Sequence, residues 1–431
     1  MCLEVLLRKI AWTIRDGIFN SVTGLNPFTF ATNSVVNLAS TLQVAKAIAS
    51  NPAIVKARPS VNLFFCQYLR KFRVINVNGN LVVHSHLPPL NSPAYKRFVR
   101  DHLLGKVVRP SHAQIGVTDA CPQHCDYCYN KGRSGDVMDT EEILGLIRDL
   151  KNLGVFWIGL TGGEPLLNRD LVTIVESIGS DCASKIFTTG CGLTKDLALD
   201  LQSAGLTYVT ISLDHWSESE HDIVRKFKGA YRAALKAVET FLGLKRMHVS
   251  VSAVVSKEMI ARGDVERFLQ FLSDLGIHEA WLSETKPAVE DYWRHELVIT
   301  EDDRMALIGI QDRWNRRGGM TVNYLSHFED AQHFGCTAGH KMVYVDAFGY
   351  VSPCVFIPMT FGNIRERSMQ EIVAEMLRHF PGENTCFINK NFEVVRKYYD
   401  GISPIGTEQS RKIMNEVEFG PRAKFFALQY K

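Results

Sequence analysis

Between residues 112 and 285 the chain alternates short apolar runs with helical patterns, and few folds accept that rhythm. The runs at 113–117, 155–160, 185–188, 208–213, 248–255 and 279–282 read as strands. Helical patterns at 140–153, 170–178, 194–204, 231–242 and 265–275 separate them; Asp139 or Thr140 caps the first, and Gly154, Gly205 and Gly276 stop three of them. Strands joined by helical crossovers make a parallel sheet. Eight units would close a full barrel, so six predict an α/β fold of the partial (β/α)6 TIM-like type, with its site built by loops at the strands' C-terminal ends.

The flanks have other characters. Residues 1–110 hold 14 Lys and Arg against Glu4, Asp16 and Asp101, a net charge of +11. The whole chain carries +3, so the remaining 321 residues carry −8. A basic extension on an acidic body suits a membrane surface or a nucleic acid, or simply forms a solvated basic face. Leu3, Leu6, Leu7, Ile10, Ile14 and Ile18 form one stripe along 1–20; such a helix docks on its own domain or lies in a membrane interface with Trp12 at the boundary. A second helix is expected at 35–50, and Asn78-Gly79 between 72–77 and 81–85 predicts a hairpin. Pro88, Pro89 and Pro93 read as a linker. The last segment, with a hairpin at 343–351 turning at Phe348-Gly349 and a helix near 368–379, reads as a small α+β domain. The expected division is therefore a basic extension over 1–110, the barrel over 111–325 and a small domain over 326–431. No apolar stretch reaches the roughly 18 residues of a membrane span. Glu4, Arg8, Lys9, Arg15 and Asp16 break up any signal peptide, which leaves a cytoplasmic protein with optional peripheral membrane contact.

Ten cysteines need a reason in a reducing compartment, and three of them lie close together as Cys121, Cys125 and Cys128. Their C-x₃-C-x₂-C spacing falls in the loop after the first strand. Three thiolates there hold three irons of a [4Fe–4S] cube and leave the fourth open. The competing reading is structural zinc with His124 or a distant histidine, although zinc pairs usually stand a dozen or more residues apart.

C-x₃-C-x₂-C after the first strand, with Tyr127 before the last cysteine, resembles the radical S-adenosylmethionine superfamily. Gly162-Gly163-Glu164-Pro165 after the second strand is similar to that family's GGEP motif. The resemblance covers about 112–325 and implies a [4Fe–4S] cluster on Cys121, Cys125 and Cys128. It implies S-adenosylmethionine on the open iron, its amino group meeting the Gly162–Glu164 backbone and its adenine packing near Tyr127. Ser212 and Asp214 are implied as ribose or carboxylate contacts, and Arg225 as partner of the methionine carboxylate. A low-potential electron donor of the flavodoxin or ferredoxin type is implied as well.

Cys336, Cys354 and the Gly-Asn-Ile at 362–364 resemble the opening of the SPASM or twitch auxiliary-cluster domain, with Cys386 as a third ligand. Three cysteines support one auxiliary cluster at most, its fourth ligand being His333, His340, Asp346, Cys191 or the substrate. The bland alternative is three small core residues. Cys2, Cys66, Cys182 and Cys191 read as structural, Cys191 least securely.

The function expected is reductive cleavage of S-adenosylmethionine and hydrogen abstraction from an unactivated carbon, an oxidoreductase- or lyase-type step. The basic N-terminal region leans towards a membrane lipid or isoprenoid, with peptide or tetrapyrrole modification as alternatives. A zinc protein binding nucleic acid is the reading from another class.

Overall fold

The computed structural model describes residues 53, 56–69, 71–105 and 107–429. The helices expected at 1–20 and 35–50, with Cys2 and the side chain of Cys66, lie outside the described residues. Helix α1 (Pro59–Leu69) precedes a hairpin of β1 (Ile75–Val77) and β2 (Asn80–Val82), and α2 (Pro93–Phe98) follows. The hairpin turns through Asn78 at φ +49° and Gly79 at +86°, the left-handed pair that a two-residue turn demands.

The barrel strands are β3 (His112–Gly116), β4 (Trp157–Thr161), β5 (Ala183–Thr188), β6 (Tyr208–Ser212), β7 (His248–Val255) and β8 (Glu279–Glu284). Crossover helices α3 (Thr140–Asn152), α4 (Leu171–Ile178), α5 (Lys195–Ser203), α6 (Glu218–Arg225), α7 (Ala230–Leu244) and α8 (Asp264–Asp274) connect them. A capping box starts α3: Asp139 accepts from the Glu142 amide, and Glu142 accepts from the Asp139 amide. Alternate residues such as Ala113, Ile115, Val249, Val251 and Ala253 are fully or almost fully buried in the apolar core shared with the helices.

The chain then forms α9 (Glu301–Arg317) and β9 (Thr321–Tyr324), which extends the sheet parallel to β8. Beyond them, β10 (Met342–Val345) and β11 (Val351–Ser352) form the hairpin expected around Gly349. The helices α10 (Met369–His379), α11 (Phe387–Lys397), α12 (Thr407–Glu416) and α13 (Lys424–Gln429) complete the described residues.

The hairpin does not stand apart from the barrel. Strand β10 pairs in parallel with β3, from Met342 opposite His112 to Val345 opposite Ile115, giving the order β11-β10-β3-β4-β5-β6-β7-β8-β9. A hairpin this short cannot bury Val343 and Val345 alone, and the barrel's edge supplies the missing neighbours. The sheet stays open between β11 and β9.

Facing inward is a polar and aromatic set that holds the segment 84–87 as a floor. Trp157 Nε1 donates to Ser85 O (2.8 Å), Lys185 Nζ to Ser85 Oγ (2.9 Å) and Tyr208 OH to Leu87 O (2.7 Å). The Ser85 amide donates to Glu279 Oε2 (2.8 Å). The Ser85 backbone and hydroxyl and the Leu87 carbonyl therefore each meet a barrel side chain. No described helix is long and apolar enough to cross a membrane.

Candidate active site

Strand β3 delivers the chain to the cysteine loop, and the loop after β4 holds it in place. The Gly163 amide donates to Thr118 O and the Glu164 amide to Ala120 O, both at 2.7 Å. A Cβ on Gly163 would sit on the Ala120 carbonyl, and one on Gly162, at φ +115°, on the Thr118 carbonyl. Only glycine lets the two backbones approach this closely.

Glu164 has no exposed surface and turns inward. Its Oε1 accepts from Thr188 Oγ1 (2.7 Å) and the Leu166 amide (3.0 Å); its Oε2 accepts from the Thr189 amide (2.6 Å) and Thr189 Oγ1 (2.5 Å). Burial raises its pKa and these donors oppose the rise. Glu164 therefore ties the loop after β4 to the loop after β5, and its side chain is spent on that task.

Burial pushes the Cys121 thiol up to about 11 and also raises Cys125 and Cys128, so the triad stays protonated until a metal displaces the protons. Tetrahedral zinc at 2.3 Å would draw thiolates to about 3.8 Å from one another. Among the described residues, the three-ligand grouping within 4.8 Å is His327, Asp330 and His333, and the cysteine triad is not one.

The structure brings Tyr127, Asp214 and Arg225 together in one buried knot. Asp214 Oδ2 accepts from Tyr127 OH (2.6 Å) and Arg225 Nε (2.7 Å), while Oδ1 accepts from the Val254 amide (3.0 Å). Both carboxylate oxygens are thus engaged by neighbouring residues. Ser212 is half-buried at the end of β6. Arg225 O also accepts from the His124 amide (3.2 Å), fastening α6 to the cysteine loop.

One cavity of about 640 Å³ joins these groups. Cys121, Cys125, Tyr127, Cys128, Gly162, Gly163, Ser212 and Arg225 line it at the strand ends. It continues along the barrel to Ser111 and His112 at the start of β3, and its far walls are Phe65, Phe98, Phe334, Phe425 and Phe426.

A second thiol site adjoins this cavity. Lys286, whose side chain is 1% exposed, has four acceptors around its three N–H groups: Cys386 Sγ (3.3 Å), Glu284 Oε1 (2.9 Å), Ser326 Oγ (3.3 Å) and Glu329 Oε2 (3.3 Å). Burial would lower the Lys286 pKa, but Cys386, Glu284 and Glu329 hold it well above the ordinary value. Cys354 and Glu329 line the cavity, and burial pushes the Cys354 thiol up to about 12. Cys336 and Cys386 are raised mainly by burial too, and each feels Glu329 nearby. The Lys286 ammonium meets Cys386, its charge reaches Cys354, and Cys336 belongs to the adjoining buried core.

Other partners engage the fourth ligands expected from sequence. Asp346 accepts from Arg133 NH1 (2.7 Å) in a buried ion pair and from the Phe348 and Tyr350 amides. His333 meets Asp330 and Lys71, and His340 packs on the Phe426 ring at 4.5 Å. Cys191 lies 4.0 Å from Gln123 Nε2, beside the first triad. Cys182 is buried in the core.

Sequence reasoning missed Lys286, Glu329 and Asn130. Asn130, two residues past Cys128, donates to Gly162 O (2.5 Å) and accepts from Tyr344 OH (2.6 Å), linking the cysteine loop, the glycine loop and β10. Its closeness to the triad was the one available signal.

Residues 115–272 match the Radical SAM superfamily, and residues 336–392 match SPASM, an iron–sulfur cluster-binding domain. A "Probable GTP 3′,8-cyclase" of Saccharolobus islandicus is 31% identical over 179 residues, covering 40% of this chain and 56% of the cyclase. The chain thus spans about half the length of that relative. The AdoMet-dependent heme synthase of Methanosarcina barkeri is 24% identical over 282 residues, covering 59% of this chain and 80% of the synthase. Among solved structures, Streptococcus suis SuiB bound to precursor peptide SuiA superposes with a TM-score of 0.53 at 15% identity, over 68% of this chain and 73% of SuiB. The His-tagged anSMEcpe with bound AdoMet gives 0.52 at 16% identity, over 74% and 94%. These two likenesses are likenesses of fold.

Proposed function

We propose, for a chain whose residues 115–272 match the Radical SAM superfamily and whose residues 336–392 match the SPASM domain, that it abstracts hydrogen from an apolar lipid- or isoprenoid-like substrate. The observation that carries this reading is the single cavity running from Cys121, Gly162 and Arg225 to the phenylalanine walls. Its volume falls within the roughly 300–1,000 Å³ of ligand sites.

The cluster and S-adenosylmethionine, when bound, supply a 5′-deoxyadenosyl radical able to take hydrogen from an unactivated carbon. The chain's own residues do the rest. Arg225, held at Nε by Asp214, offers its remaining guanidinium nitrogens to a carboxylate. Tyr127, fixed through its hydroxyl, would present its ring to the adenine, and Ser212 would meet the ribose. The aromatic walls orient an apolar chain and keep water from the reacting carbon. The +11 of residues 1–110 supports delivery from an anionic membrane surface.

The test is anaerobic reconstitution followed by 5′-deoxyadenosine formation with deuterated isoprenoid or acyl lipids in mixed micelles, set beside peptides and tetrapyrroles. Deuterium in the 5′-deoxyadenosine from a lipid is the expected result. Transfer only from a peptide or a tetrapyrrole would reject the apolar substrate and leave the radical chemistry standing.

A further inference from the structure

Three cysteines leave one corner of the second cluster to be filled. The carboxylates at Lys286 differ in what they have left to give. Glu284 is spent: Oε2 takes Tyr324 OH (2.6 Å), while Oε1 takes Lys286 (2.9 Å) and Asn389 Nδ2 (2.7 Å). Glu329 engages Lys286 through Oε2 and lines the same cavity as Cys354. Since Glu329 Oε2 and Cys386 Sγ each lie 3.3 Å from Lys286 Nζ, they are at most twice that distance apart. A gap up to that bound lets the two side chains reach neighbouring corners of one cube. A buried cation stands beside each set, Lys286 here and Arg225 at the first triad, and offsets the negative charge that the ligands bring together.

We propose that Glu329 is the fourth ligand of the cluster held by Cys336, Cys354 and Cys386, on the corner that faces the cavity. The reading rests on the SPASM domain holding a cluster. Oxygen is a weaker partner for iron–sulfur iron than thiolate, so this corner is the exchangeable one. Lys286 keeps Glu329 in reach and stays beside Cys386 after ligation. The iron nearest the substrate cavity is then the iron most easily opened to a substrate's polar group.

The experiment uses the full chain with Cys121, Cys125 and Cys128 all replaced by Ala, so that only the second cluster is counted. Iron, sulfide, the electron paramagnetic resonance spectrum and the midpoint potential are measured after anaerobic reconstitution, with circular dichroism to verify folding. About four irons per chain are expected in this parent. Adding E329Q should make ferricyanide strip one iron to a [3Fe–4S] cluster at least about tenfold faster. Adding E329C should lower the potential and shift the spectrum while keeping the iron. Parent-like spectra, potential and oxidation rate in both variants would overturn the assignment while the cluster reading survives. A parent without iron or sulfide would remove the cluster itself, and the assignment with it.

Discussion

Replacing Glu164 with Gln tests whether this carboxylate is a lock between loops. Four donors converge on it: the Leu166 and Thr189 amides and the Thr188 and Thr189 hydroxyls. Each carboxylate oxygen faces one amide and one hydroxyl, so the glutamine –NH₂ meets one of each whichever way it flips. A hydroxyl rotates and accepts from –NH₂; an amide cannot. One buried N–H is therefore orphaned, at about 1–3 kcal/mol, and the loss of charge-assisted bonding adds about 1 kcal/mol more. The sum, about 2–4 kcal/mol, corresponds to roughly 30- to 700-fold in a local opening constant. Hydrogen exchange resolved at Leu166 and Thr189 in the metal-free chain is the assay, because a chain of this length need not unfold in one step. Protection at both amides within about threefold of wild type would refute the lock.

Gly163→Ala should lose most cluster iron, since a Cβ there meets the Ala120 carbonyl; Gly243→Ala, where nothing lies within 4 Å, should keep it. Asp214→Asn breaks a buried pair whose side chains are 9% and 4% exposed, and should cost about 3–5 kcal/mol, read as a lowered melting temperature. Burial brings the Lys185 pKa down to about 7, with Glu279 opposing. Between about pH 7 and the unfolded value near 10.4, the unfolded chain then holds a proton that the folded chain lacks, so stability rises with pH by up to about 1.4 kcal/mol per unit and is flat below 7. Lys185→Met should lack that slope; parallel stability curves for wild type and variant from pH 7 to 9 would contradict it.

The barrel was legible because its signals are local. Gly154, Gly205 and Gly276 stand just past α3, α5 and α8, and each of the six expected strands lies within about two residues of its place. Helix α9 and β9 were not anticipated. Their contact is sealed by polar groups, Asn315 exchanging two bonds with Val322 and Gln311 accepting from the Tyr324 amide, so α9 shows no clean apolar stripe. The cysteines of both sites, the paired glycines and Arg225 could be read from spacing and resemblance. Glu329 and Lys286 could not, because they lie 43 residues apart in sequence and only the fold brings them to one point. Nothing in the local pattern showed that Val343 and Val345 would take β3 as their neighbour.

That β3–β10 seam has a consequence for electron traffic. Neighbouring parallel strands run about 4.8 Å apart and are held by a hydrogen-bond ladder. One of this pair leads into the Cys121 loop and the other into the turn before Cys354, with Arg133 and Asp346 pinned between them. Two centres carried on separate lobes would drift as a hinge flexed, and the tunnelling gap between them would breathe. Were a cluster bound at each site, this pairing would hold the Cys121 loop and the approach to Cys354 at a fixed separation.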